Sequence, residues 1–167
     1  MNAYYSAALL GFSYGDQYLI STGSTLAALE IRSAKALWHV PSNSKLYEAE
    51  FVKENRVVGI LWANKRDSKL WFAGPECREC RLGIQLLPLL PITEILFSDL
   101  DYARELVDWA SESQDGDIED GWKGFIFALE GVYDAAAALQ KVKSLNSYDD
   151  GNSLTNLLWW LYTRAGS

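Results

Sequence analysis

The chain has 167 residues, 49% of them hydrophobic and 22% charged, and a formal net charge of −7. That length suits one domain with a buried core, and the composition excludes an intrinsically disordered chain. Net negative charge without a dense Lys/Arg cluster excludes nucleic acid as a partner, and apolar runs as short and proline-bearing as 83–92 exclude a membrane span.

An apolar helical pattern is running by the third residue, with no capping residue before it. Tyr4, Tyr5, Ala8, Leu9 and Phe12 recur at helical spacing. The first helix is expected over 3–14, closed by Gly15, and Asp16 caps a second over 17–38 that ends before Pro41. Small residues at Ser21, Gly23, Ser24, Ala27 and Ala28 let the second helix approach a neighbour, and the short connection makes an antiparallel hairpin. Residues 56–62 (RVVGILW) and 69–73 read as two short strands about a polar turn at 64–68, a small β-hairpin. Residues 74–92 hold the remaining prolines and both cysteines and read as an ordered loop with a short helix. Helices resume at 92–97 and 99–111, the latter with Ser98 and Asp101 placed as a capping box. An acidic loop at 111–120 follows, then helices at 122–132, 134–144 and 153–164. The class is mainly α, in helical hairpins with one β excursion.

Cys77-Arg-Glu-Cys80 is a C-x-x-C, but zinc needs two more ligands and the chain has no other cysteine and one histidine. The Gly74–Pro75 context lacks the strand that thioredoxin-like sites use, which leaves a loop disulfide or two buried thiols. No metal is expected. His39, between Trp38 and Val40, has no nucleophile motif beside it. It reads as a hydrogen-bonded helix-end residue or as a contact to a sugar hydroxyl. The adjacent carboxylates Glu119/Asp120 and Asp149/Asp150 sit in polar segments before glycines and read as solvated charges or caps. Glu30, between Leu29 and Ile31, reads as a buried carboxylate tied to Arg32 or to nearby backbone. Seven tryptophans and nine tyrosines either fill a core or make flat faces for sugar rings.

Six segments occur in a telling order: Asn2-Ala3-Tyr4-Tyr5; Glu30-Ile31-Arg32-Ser33-Ala34 leading to Trp38-His39-Val40; Val57-Val58-Gly59-Ile60-Leu61-Trp62; Gly83-Ile84-Gln85-Leu86-Leu87-Pro88 with Pro91-Ile92-Thr93-Glu94; Gly121-Trp122-Lys123-Gly124-Phe125; and Asp150-Gly151-Asn152-Ser153-Leu154-Thr155-Asn156. Across nearly its whole length the chain resembles the C-terminal end of glycoside hydrolase family 81, the endo-β-1,3-glucanases. The stretch from Trp71-Phe72-Ala73 through Glu76-Cys77-Arg78-Glu79-Cys80-Arg81 is most similar to plant members, including the β-glucan elicitor-binding proteins.

The resemblance implies that residues 1–167 are part of an (α/α)6 barrel of helical hairpins with a glucan groove across one end. It implies inverting hydrolysis of internal β-1,3 bonds by an acid and an opposing base, without metal or organic cofactor. In the family the catalytic glutamates lie in a Ser-rich acidic segment immediately before Asn-Ala-Tyr-Tyr, and the acid aspartate lies further upstream. No catalytic residue is therefore carried onto this chain, and the carboxylates are expected upstream of Met1. The expected partner is β-1,3-glucan, and by position the glucan-contacting candidates are Tyr4, Tyr5, Trp38 and His39, with Trp62 and Trp71 behind them. The readings are thus part of a glucanase, a non-catalytic glucan-binding remnant, or an incomplete gene model. A cut barrel edge is expected to expose apolar faces at 4–12 and at 154–161, with Trp159 and Trp160. A cell-wall setting fits the substrate, and no signal peptide is read at the start.

Overall fold

A computed structural model of the chain describes residues 1–62, 65–112 and 118–164, with the side chains of Trp62 and Lys65 outside that description. The chain divides into two compact units, Met1–Trp38 and His39–Ser167. Among the described residues no helix is long and apolar enough to cross a membrane.

The first unit is a helical hairpin. Helix α1 (Asn2–Tyr14) has no side-chain N-cap and ends where Gly15 turns into the left-handed region at φ 71°. Asp16 then caps α2 (Gln17–Leu37), accepting the amides of Tyr18 and Leu19 at 3.0 Å each. The helices close on small residues: a methyl group at Gly23 would sit 2.6 Å from the Ala8 nitrogen. Glu30 does not pair with Arg32 as expected. Its carboxylate takes the Met1 ammonium, and it is only half-buried. The seam buries small groups and leaves Leu9, Leu10, Phe12, Tyr14, Tyr18, Leu26 and Leu29 exposed.

The second unit begins with extended chain: His39 bridges Val57 antiparallel, and the Val40 amide donates to the Arg56 carbonyl at 2.9 Å. A short helix α3 (Ala49–Glu54), absent from the sequence reading, ends at Asn55. The β-hairpin is real but its register differs from the expectation. Strand β1 (Ile60–Trp62) pairs with β2 (Lys65–Asp67), Leu61 opposite Arg66, so the second strand lies inside the stretch expected as turn. Residues 69–73, expected as the second strand, are loop. The Gly59 amide donates to the Asp67 carbonyl at 2.9 Å, so the ladder is complete before Lys69.

Six helices follow: α4 (Arg78–Leu86), α5 (Pro91–Leu96), α6 (Leu100–Ser111), α7 (Asp120–Glu130), α8 (Ala135–Val142) and α9 (Leu154–Tyr162). Asp99, not Ser98, caps α6, accepting the Tyr102 amide at 3.1 Å. Asp134 and Ser153 cap α8 and α9. Helix α7 starts and ends two residues earlier than expected. Residues 113–117 of the expected acidic loop lie outside the described residues.

Helix α7 is the centre of this unit and packs against α4, α6, α8 and α9. Gly124, Ala128 and Gly131 recur on one stripe at four- and three-residue steps, and α9 closes against them through Leu157, Trp160 and Leu161. The Trp160 indole is fully buried and donates to the Ala128 carbonyl at 2.8 Å. This corrects the expectation that Trp160 lies on an exposed edge, although Trp159 and Leu154 are exposed. Burying a ring of that size contributes about 5 kcal/mol by area.

Arg81 joins the irregular segments to this core. It is 2% exposed and donates to Asn55 Oδ1 at 2.6 Å, the Val57 carbonyl at 3.2 Å and the Pro75 carbonyl at 2.9 Å. Replacing it with Met keeps the bulk but leaves three acceptors without their donor. The Arg81→Met chain is expected to lose about 3 kcal/mol in denaturant unfolding followed by tryptophan fluorescence. A loss below about 1 kcal/mol would show that the three acceptors find other donors.

Candidate functional site

Among the described residues of the second unit, the most exposed tryptophan lies on the loop after β2. Leu70, 4% exposed, pins that loop, and its amide donates to the Ala73 carbonyl at 2.9 Å. Between these anchors Trp71 is 74% exposed and Phe72 is 48% exposed. Trp71 meets Phe72 edge-on at 5.1 Å, and Phe72 lies nearly parallel to Trp122 at 6.2 Å. Trp122 in turn leans on the fully buried Phe125 at 5.8 Å. The four rings form a row from core to solvent. Gly83 on α4 makes room for it, since a methyl group there would stand 2.7 Å from the Trp122 ring.

The same loop contributes Ser68, Pro75 and Glu76 to a cavity of about 290 Å³ that Glu54, Asn55, Arg78 and Arg81 also line. Both arginines are already engaged. Arg78 donates to the carbonyls of Trp109 and Glu112 at the end of α6, at 3.2 and 3.3 Å. Arg81 lies 4.6 Å from the Trp109 ring. Burial, reinforced by the Arg78 charge, lowers the Arg81 pKa to about 10.

The residues proposed from sequence are divided between the two units. His39 is 6% exposed and stacks between Phe97 at 5.3 Å and Tyr102 at 4.6 Å, so it stands inside the fold. Burial raises the Tyr102 pKa, and its hydroxyl donates to the Arg56 carbonyl at 2.6 Å. Trp71 is on the open row. The side chain of Trp62 lies outside the described residues. In the first unit Tyr4 is exposed, Tyr5 half-buried, and Trp38 half-buried at the end of α2. Phe72 and Trp122 were not singled out. The nearest signal was the Gly121-Trp122 start of a helix and the Trp71-Phe72 pair before Gly74.

Of the carboxylates weighed as catalytic groups, Asp120 and Asp149 have structural partners. Asp120 accepts the Asn146 amide at 2.9 Å and pairs with Lys123 at 3.2 Å. Asp149 accepts the Gly151 amide at 2.9 Å. Glu130 holds Lys141 at 2.6 Å, and Glu94 holds Arg164 at 2.5 Å. Cys77 and Cys80 form a disulfide, which settles the two alternatives left by the sequence.

With this geometry in place, comparison with known proteins is decisive at the level of family. Residues 1–161 match the model of the glycosyl hydrolase family 81 C-terminal domain. The chain belongs to this family. Over 167 residues it is 58% identical to a glucan endo-1,3-beta-D-glucosidase of Glycine max, covering 99% of this chain and 25% of that protein. It is 26% identical over 172 residues to a protein of the same name from Arthroderma benhamiae, covering 97% of this chain and 18% of that one. It is also 26% identical over 163 residues to one from Thermobifida fusca, with 96% and 21% covered. The chain spans about a quarter or less of the length of these relatives.

In this family 81 domain the Asp120 clamp gives a pH signature. The Asn146 amide, then Lys123, hold the Asp120 carboxyl below its ordinary value. A depressed carboxyl adds stability that is complete above the unfolded pKa, about 4, and is lost as pH falls through the folded value. Asp120→Asn is expected to flatten the acid side of the stability–pH curve in thermal unfolding between about pH 5 and pH 2. An acid limb as steep as that of the unmodified chain would show that the clamp is not coupled to folding.

Proposed function

We propose that this chain is the C-terminal part of the (α/α)6 barrel of an endo-acting, inverting 1,3-β-glucanase. Its contribution is to hold β-1,3-glucan, and none of its own carboxylates is the catalytic acid or base. The family match and the names of the relatives support the substrate class. The observation that carries the glucan-holding role is the open row Trp71–Phe72–Trp122.

A β-glucosyl ring presents axial C–H groups on its faces and hydroxyls around its rim. Rigid aromatic faces suit the former, since they bury area with little loss of side-chain freedom. At the solvent end of the row Trp71 and Phe72 leave such surface open, while Trp122 backs Phe72 from inside. Trp71, by its exposure, leads the contact. Tyr4, Tyr5 and Trp38 remain candidates on the first unit by itself. Inversion requires a protonated acid and a base about 6.5–9.5 Å apart with water between them. Asp120 and Asp149 instead carry amides, and Asp120 a cation, as structural carboxylates, which supports giving neither of them the acid or base role.

Retention on insoluble β-1,3-glucan tests the proposal. Trp71→Ala is expected to weaken binding by about 1 kcal/mol, roughly fivefold, with β-1,4-glucan as the control. The purified chain is expected to release no reducing ends from laminarin above a blank, because each missing acid or base removes about 100- to 10,000-fold in rate. Undiminished binding by Trp71→Ala would remove the row from the site, and measurable hydrolysis would return the chain's own carboxylates to candidacy.

A further inference from the structure

The Cys77–Cys80 disulfide spans the first turn of α4, with Cys77 at the N-cap. Cys77 is partly exposed, whereas Cys80 is 4% exposed. One bond partner is thus open to an incoming thiol and the other is sheltered. A carboxylate oxygen of Glu79 lies within 4.8 Å of both sulfurs. Glu79 is 9% exposed, and its Oε2 has no hydrogen-bond partner among the described residues. A buried acceptor left without a donor is unusual, and here it belongs to a carboxylate that stands beside a pair of sulfurs, which become proton carriers once reduced.

The surroundings favour a thiolate leaving group. The sulfurs sit at the N-terminal end of a nine-residue helix. Helix N-termini stabilise thiolates, and a more stable thiolate leaves faster in exchange. The bond also closes a loop of two intervening residues, the kind that constrains the unfolded chain least. Its chemistry therefore stands out more than its contribution as a staple.

We propose that Cys77–Cys80 is a reversible redox-modification site that dithiols reduce in the folded chain, with Glu79 as its proton carrier. The thiolate of a dithiol attacks Cys77 Sγ, the Cys77–Cys80 bond breaks, and the electron pair leaves on Cys80 Sγ. Glu79 takes the proton of the second thiol, which then attacks the reductant's own sulfur in the mixed disulfide. That step closes the oxidised reductant and frees the Cys77 thiolate. The proton on Glu79 passes to one cysteine thiolate, and the other is protonated from solvent, replacing the proton lost when the attacking thiol ionised. Two electrons and two protons have moved from the dithiol to the pair.

The test is reduction of the intact chain in dithiothreitol without denaturant, quenched with acid and an alkylating reagent and read by mass. Two alkyl groups are expected to appear together while the circular dichroism of the helices persists. Glu79→Gln is expected to slow the reaction by about tenfold or more near neutral pH. Glu79→Asp, which keeps a carboxylate, is expected to recover most of the rate, a rescue that a merely structural role would not produce. Alkylation only after denaturation would overturn the proposal from the unmodified chain alone. A Glu79→Gln rate equal to that of the unmodified chain would overturn the role of Glu79.

Discussion

The second unit depends on one buried cation. The Arg81 guanidinium leaves water almost completely and gains three acceptors, Asn55 Oδ1 and the carbonyls of Val57 and Pro75, together with the face of Trp109. Removing a charge from water costs several kcal/mol, and such a group persists only where fixed acceptors replace its hydration. The lowered pKa of Arg81 records that cost, caused first by burial and then by Arg78. In return, segments without a regular hydrogen-bond ladder of their own are attached to α4. Asn55 is itself held by two bonds to the Phe51 carbonyl, so the acceptor side of the contact is rigid.

The loop 68–76 inherits its position from this attachment. Its far end is fixed at Pro75 by Arg81 and its middle by the buried Leu70, so Trp71 and Phe72 can remain outside the core without collapsing onto it. Large exposed rings are costly in water, and their exposure requires backbone that is held by other means. The row then continues into the interior through Trp122, which lies over Gly83, and Phe125. Polar groups hold the scaffold, and apolar rings face solvent. That inversion of the usual arrangement is the physical basis for reading a glucan-contacting surface here.

Helix ends were legible in the sequence because caps are local. Gly15 and Asp16 each act within a few residues of their own helix, whereas Asp134 and Ser153, read as first helical residues, are caps just outside α8 and α9. The error at α6 has the same scale: Ser98 and Asp99 are both capping residues, and geometry selected the second. The hairpin register was not legible, because β2 is charged (Lys-Arg-Asp) and its pairing is imposed by Gly59 and by the attachment of the following loop. Arg81 carried no signal in one sequence, since its acceptors lie 6 to 26 residues away. The aromatic row was half visible: Trp71 was chosen, but its alignment with Trp122 depends on the packing of α7 against α4. His39 was read as a helix-end residue or a sugar contact, and the choice was not legible because the Val57 bridge and the rings of Phe97 and Tyr102, which draw it inside, are distant in sequence.

A buried arginine, Arg81, holds the loop that carries the proposed glucan surface. Arg81→Lys keeps a positive charge but lacks the planar fork that reaches three acceptors at once. The direct measurement is its retention on insoluble β-1,3-glucan beside its helical circular dichroism. Retention reduced to the level of Trp71→Ala, with helix content unchanged, is the predicted result. Retention equal to that of the unmodified chain at the same helix content would contradict the claim.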